Sequence, residues 1–324
     1  MADYINTFGQ KIQYLSSDPD PVQEGQVWYN STSNTLKYRG SNAATAWSSG
    51  GNLNTGRNQV AGAGSKSSGL AFGGGYPAVN NTEKYNGSSW TEVNNLNAGR
   101  RSMLGFGTQT AAIGAGGVTV ATNEIWNGTN WTEVNNLNVA KSSAKGVGIT
   151  TAGLAFGGYT NTNVATNESW NGTNWTEIAD MNTARATLGG AGTQGAALAF
   201  NGGPQANVGA GSIYNTETWN GSSWTEVNNT NTASEGAGSS GSNTSAITFG
   251  GSIYASSGSN NRTEQYNGTN WTEVANLSTG RSTGGSGSSE SDNKSAIYYG
   301  GAGNTNSTEE FTGAGETTKT IASS

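Results

Sequence analysis

A chain of 324 residues with 51 glycines, 32% hydrophobic residues and a net charge of −6 has the bulk composition of a low-complexity polymer rather than of a packed domain. Its scattered lysines and arginines form no basic stripe, which argues against nucleic-acid binding. Cysteine and histidine are both absent, so disulfides, thiolate chemistry, the commonest metal ligand and the usual near-neutral general base are excluded together.

The N-terminal stretch Met1–Gln10 has neither a basic start nor an apolar run, and is not expected to act as a secretory signal. No segment approaches the roughly 18 apolar residues that would suggest membrane insertion. Ser17-Asp18-Pro19-Asp20-Pro21 reads as a stiff turn or linker. Beyond it, Gly25–Asn30 and Thr35–Arg39 flank Ser31–Asn34 in the pattern of a small hairpin. Residues 1–44 therefore form an arm and hairpin ahead of the main domain. Two uses fit them: an extra edge packed on that domain, or an attachment device presenting Trp28, Tyr29, Leu36 and Tyr38.

From residue 45 to 324 one sentence of about 45 residues is written six times. Its markers keep their order: a double glycine at Gly73, Gly116, Gly157, Gly202, Gly250 and Gly300, then Glu-x-aromatic, then Asn-Gly, then Trp-Thr-Glu. The outer tryptophans are Trp47, Trp90, Trp131, Trp175, Trp224 and Trp271. Disordered chains do not hold tryptophan in register, and a period of this size with four short β segments per unit means propeller blades. The first strand of each unit (Ser102–Thr108, Ser142–Thr150, Ala186–Thr193) is poor in bulk, as strands converging on an axis must be. The second carries the hydrophobes, as in Gly69–Phe72 and Gly153–Phe156. Asn-Gly between the third and fourth strands is a strong hairpin signal.

The final copy, Arg281–Phe311, lacks its tryptophan, while Trp47 precedes any complete copy. The fold class is therefore all-β, a six-bladed propeller whose ring is closed by the Trp47 strand. Closure by Thr317–Ile321 is the competing topology.

Six glutamates lie in the Glu-x-aromatic position, and Glu92, Glu133, Glu177, Glu226 and Glu273 follow the Trp-Thr pair, together about half of the 21 acidic residues. Catalysis needs two carboxylates singled out by environment, and groups present in every blade are not. No catalytic residue, cofactor or metal site is expected, and the protein is not expected to be an enzyme. Arg57, Arg100, Lys141, Arg185 and Arg281 open the inner strands, with Ser234 in the remaining copy. They read either as partners of the repeated glutamates, tying one blade to the next, or as a partly cationic mouth at the axis able to hold a carboxylate or acidic sugar. Length variation falls in the loops between second and third strands. Tyr76, Tyr159, Tyr214, Tyr254 and Arg262 in those loops are the candidates for ligand contact.

The order Arg, Gly-Gly, Glu-x-Tyr-Asn-Gly, Trp-Thr-Glu resembles the kelch repeat over residues 46–312. It departs from animal kelch proteins in its Asn-Gly turns and its Gly, Asn and Thr content, and is similar there to kelch-like propellers in structural proteins of marine bacteriophages. In those proteins a stretch like Asp18–Lys37 precedes the repeats. The resemblance implies a virion protein of the tail or a fibre, held by its N-terminal arm to other virion proteins and contacting a host-surface glycan or protein. It further implies assembly in the host cytoplasm, display outside the cell and a homo-oligomeric state in the particle. An architectural decoration or adaptor of capsid or tail is the alternative, and a glycan-active propeller enzyme the weakest reading.

Overall fold

In the computed structural model the described residues are 12–19, 26–42, 45–203, 213–253, 258–287 and 291–321. Among them all regular structure is β, and no helix occurs. The chain divides into two units, residues 46–312 and a smaller one of residues 1–45 with 313–324.

The large unit is a six-bladed β-propeller of four-stranded antiparallel sheets. In blade I the strands run Ala61–Ser65, Ser68–Phe72, Thr82–Tyr85 and Trp90–Val93 from the axis outward. Blades II to V repeat this order, starting at Leu104–Gly107, Lys145–Ile149, Gly189–Gly192 and Gly238–Gly241. Blade VI takes Gly285–Ser286, Ser295–Tyr299 and Thr308–Thr312 from the C-terminal side and Ala46–Ser49 as its outer strand. Phe311 lies opposite Trp47 in that pairing. The Trp47 closure thus holds, and the competing closure does not. Residues Gly315–Ile321 instead pair antiparallel with Thr35–Asn42 in the smaller unit.

Each outer tryptophan packs against an aromatic ring of the preceding blade. Phe72–Trp131, Phe106–Trp175, Phe156–Trp224, Phe200–Trp271, Phe249–Trp47 and Tyr299–Trp90 have centroid separations of 4.8, 6.5, 5.1, 4.9, 4.9 and 4.7 Å. All six pairs are edge-on or tilted, the arrangement ring quadrupoles favour. The circuit has no gap, so apolar contact carries round the whole ring despite the low aliphatic content. At the head of the blade IV inner strand glycine makes room for the aromatic ring of the paired second strand: a Cβ on Gly189 would lie 2.3 Å from the Phe200 ring.

The Asn-Gly turns work differently from a two-residue hairpin. Only the glycine is left-handed, as Gly87 shows with φ 89°. The asparagine acts through its side chain: Asn86 Oδ1 accepts the N–H groups of Ser88 and Ser89, both at 2.9 Å. The connection is a four-residue loop locked by an Asx turn.

In the smaller unit Gln13–Leu15 pairs parallel with Val27–Asn30, which pairs antiparallel with Thr35–Asn42. The Asp18 carboxylate is its hub. It accepts the Trp28 indole N–H at 3.0 Å and the Asn30 amide at 2.7 Å, and pairs with Lys37 Nζ at 2.9 Å. These hydrogen bonds, led by that from Lys37, pull its pKa down to about 2.

Candidate functional site: the axial mouth

Two residues ahead of each inner strand, the chain turns through a left-handed residue. Gln59, Ser102, Ser143, Thr187, Gly236 and Thr283 have φ between 51° and 63°. The sequence pattern places Ser102 within the first strand, but the strand begins at Leu104. Five of the six are not glycine, and such a conformation costs roughly 1–2 kcal/mol per residue.

These residues form a closed circuit of backbone hydrogen bonds. Ser102 N–H donates to Gln59 O, Ser143 to Ser102, Thr187 to Ser143, Gly236 to Thr187, Thr283 to Gly236 and Gln59 to Thr283, at 2.7–3.2 Å. The circuit explains why the strain persists, because each residue is held from both sides. It forms the floor of a hollow of about 260 Å³ on the axis, bordered by Val60, Met103, Ala144, Leu188 and Ala237. The second-to-third-strand loops open on the same face, since they bridge to the incoming linkers: Ser142 with Tyr159, Ala186 with Gly203, Glu235 with Ser252.

The basic residues opening the inner strands do not line this mouth. Arg57, Arg100, Lys141, Arg185 and Arg281 are buried and paired with Glu83, Glu124, Glu168, Glu217 and Glu309 at 3.0, 2.6, 3.2, 3.1 and 2.9 Å. Each pair lies within one blade, between its incoming linker and its third strand, rather than from blade to blade. The glutamate's other oxygen holds the linker just before the basic residue. Glu217 Oε2, for example, accepts Asn182 N at 2.7 Å and Asn182 Nδ2 at 2.9 Å. An unpaired guanidinium in such a position would cost several kcal/mol, so the glutamate draws it inward and the mouth loses its expected cations. Burial pulls the Arg185 pKa down to about 10 against the opposing pull of Glu217. The Lys141 ammonium is lowered for the same reason.

Charge at the mouth comes from residues that do not recur. Immediately before the left-handed residue stand Asn58, Arg101, Ser142, Ala186, Glu235 and Ser282. Arg101 enters blade II and Glu235 enters blade V, three blades round and therefore opposite. Arg101 lies 4.8 Å over the Tyr76 ring and donates to Gln59 Oε1 at 2.7 Å. Tyr76 is 74% exposed, so an aromatic face and a guanidinium form a ledge on one side of the rim. Glu235 lines the hollow on the other side, its carboxyl raised by burial. Lys145, half-buried on the inner strand of blade III, has its amine pushed down to about 8 by burial.

Among the loop residues singled out from sequence, Tyr214 is exposed, Tyr159 is half-buried and bridged to Ser142, and exposed Arg262 donates to Thr232 Oγ1 at 2.8 Å. Tyr254 lies outside the described residues. Of the described members of that set, Tyr76 joins the axial rim through its ring beneath Arg101, and Tyr159 through its backbone hydrogen bonds with Ser142. The sequence reading missed Arg101 and Glu235; a column-by-column alignment of the six linkers would have exposed both as departures. Of the four attachment candidates, Trp28 is fully buried beneath Asp18 and presents no surface, whereas Tyr29, Leu36 and Tyr38 are half-buried. Tyr29 stacks on exposed Tyr14 with centroids 4.9 Å apart.

A second hollow, about 640 Å³, lies beside the closure and is lined by Ser49–Asn52, Ser278–Arg281 and Thr305. It is the larger, but its ionic side chains are already paired: Arg281 and Glu309 hold each other. The axial mouth is the better candidate because Glu235 in it has no ion pair among the described residues.

The fold and mouth define a six-bladed β-propeller with a strained, hydrogen-bonded axial collar. No model of a known protein family matches the chain, and no curated protein matches it.

Proposed function

We propose that this chain is a structural protein of a bacteriophage virion, a kelch-like propeller of the tail or a fibre that touches the host surface through its axial mouth. One observation carries the contact role. The linker cations and the third-strand glutamates and aromatics that recur are buried, and the recurring Trp-Thr-Glu glutamates lie exposed on the outer strands, whereas Tyr76, Arg101 and Glu235, which do not recur, stand at the mouth. An aromatic face beside a guanidinium, with a carboxylate opposite, suits a saccharide, which stacks on the ring and accepts and donates hydrogen bonds around it. The virion assignment is supported by the Asp18–Lys37 stretch and the kelch-like repeat order, which resemble those of phage propeller proteins. On this reading the smaller unit joins the propeller to other virion proteins in a homo-oligomeric assembly, and the protein works outside the cell without enzymatic activity.

Cryo-EM of the source particle tests the assignment. A propeller on the tail or fibre with the Tyr76 face outward supports it; one packed on that face into capsid or tail body makes the protein an architectural adaptor. Binding of purified protein to host-surface glycans should fall at least tenfold in Tyr76→Ala and Arg101→Gln, with the melting temperature unchanged.

A further inference from the structure

Five blades carry a buried cation against the third-strand glutamate, and blade V does not. Its Glu264 is 3% exposed and accepts Asn231 N and Nδ2 at 2.8 and 2.9 Å and Thr232 N at 2.9 Å, yet no ion pair reaches it among the described residues. Serine stands at the basic position, as Ser234. Two further residues change with it. Asn201, at φ 59°, occupies the place of the first glycine of the pair in the preceding blade, and Thr230 replaces the leucine or methionine of the other linkers. Thr230 Oγ1 donates to Asn201 Oδ1 at 2.5 Å and Asn201 Nδ2 donates to Ser234 Oγ at 3.0 Å. These three side chains satisfy one another and leave the carboxylate without a counter-charge.

The seat of the missing cation is readable from the other blades. Arg100 donates to the carbonyls of Gly116, Thr122 and Gly114 at 2.9, 2.8 and 3.3 Å besides Glu124. Arg281 does the same with Gly300, Ser307 and Tyr298 at 3.3, 2.7 and 3.5 Å. Lys141 shows that a bare ammonium suffices: Nζ lies 3.3 Å from Ala155 O, 3.5 Å from Thr166 O and 3.2 Å from Glu168. By register the corresponding oxygens in blade V are the carbonyls of Gly250, Arg262 and Thr248 with the Glu264 carboxylate. All four residues, with Ser234, line one small cavity of about 10 Å³, which by the usual measure holds a single water-sized particle. A buried carboxylate facing carbonyl oxygens is costly without positive charge.

We propose that blade V binds one water-sized monovalent cation, potassium or ammonium, between Glu264 and the carbonyls of Thr248, Gly250 and Arg262, in place of the side chain that Ser234 omits. The ion completes the sixth linker anchor. It leaves the other five blades untouched.

The test is thermal unfolding of the full chain in potassium chloride and in choline chloride at equal ionic strength. The midpoint is expected to rise by about 2 °C or more, saturating with potassium. In Ser234→Lys, which brings its own ammonium, that dependence should vanish; in Lys294→Gln, which removes an exposed cation that does not line the cavity, it should remain. Identical wild-type midpoints in both salts overturn the proposal, as does a potassium response undiminished in Ser234→Lys. Should Ser234→Lys not fold, diffraction from crystals soaked in rubidium chloride decides. An anomalous peak between Glu264 and Thr248 O is expected, and density without anomalous signal there overturns the site.

Discussion

Trp47 donates its indole N–H to the Thr263 hydroxyl at 3.0 Å, joining blade VI to blade V across 216 residues of sequence. The same indole lies 4.9 Å from Phe249 and 5.3 Å from Phe311. One side chain, supplied by the start of the propeller, therefore holds the last blade to its neighbour and its own sheet together.

Removing that seam should open the ring locally before it unfolds the whole. Trp47→Ala is expected to cost about 2–3 kcal/mol, below the 3–5 kcal/mol of a fully buried tryptophan, because Trp47 is only half-buried. Hydrogen exchange checks the location: amides of Thr308–Thr312 should exchange faster while blades II to IV keep their protection. Uniform loss of protection would mean the ring has no preferred opening point.

The buried pairs should show strong coupling. Arg185→Met leaves Glu217 without its cation and is expected to cost about 3 kcal/mol. Glu217→Leu should cost more, since it also strips two acceptor contacts from Asn182. The double variant should lose less than the sum, read from urea unfolding of the four proteins in the cycle.

Acid should loosen the smaller unit late. A carboxyl whose pKa is lowered by folding, as that of Asp18 is from 3.8 to about 2, contributes stability that is whole above the unfolded value and is lost as pH falls through the folded one. The Trp28 indole N–H resonance should therefore keep its folded position down to about pH 3 and shift only near pH 2. In Asp18→Asn that late transition should be gone.

How much of this was legible in the sequence differs by kind of feature. The Trp47 closure could be read because it rests on counting: one tryptophan too early, one strand too few. The blade order could be read because Gly-Gly and Asn-Gly punctuate it. The axial collar could not, since Ser102, Ser143, Thr187 and Thr283 adopt a left-handed conformation that their residue types disfavour, and only the ring imposes it. The fate of Arg57 and its counterparts was open between two readings for a related reason. A basic residue at the head of an inner strand can face the mouth or the blade, and the choice depends on a glutamate some 26 residues on. Asn201 escaped notice because its neighbours Gly202 and Gly203 supply a double glycine one position late.

The collar has one electrostatic consequence. Each of its six peptide groups donates in the same rotational sense, to the blade before it, so the component of each dipole that lies along the circuit is offset by the one across the ring. Such a loop polarises itself bond by bond yet projects little in-plane field into the hollow above. The polarity that an approaching molecule meets across the mouth is therefore written almost wholly by two side chains on opposite linkers, Arg101 and Glu235, and exchanging their charges would reverse its direction without disturbing the ring beneath.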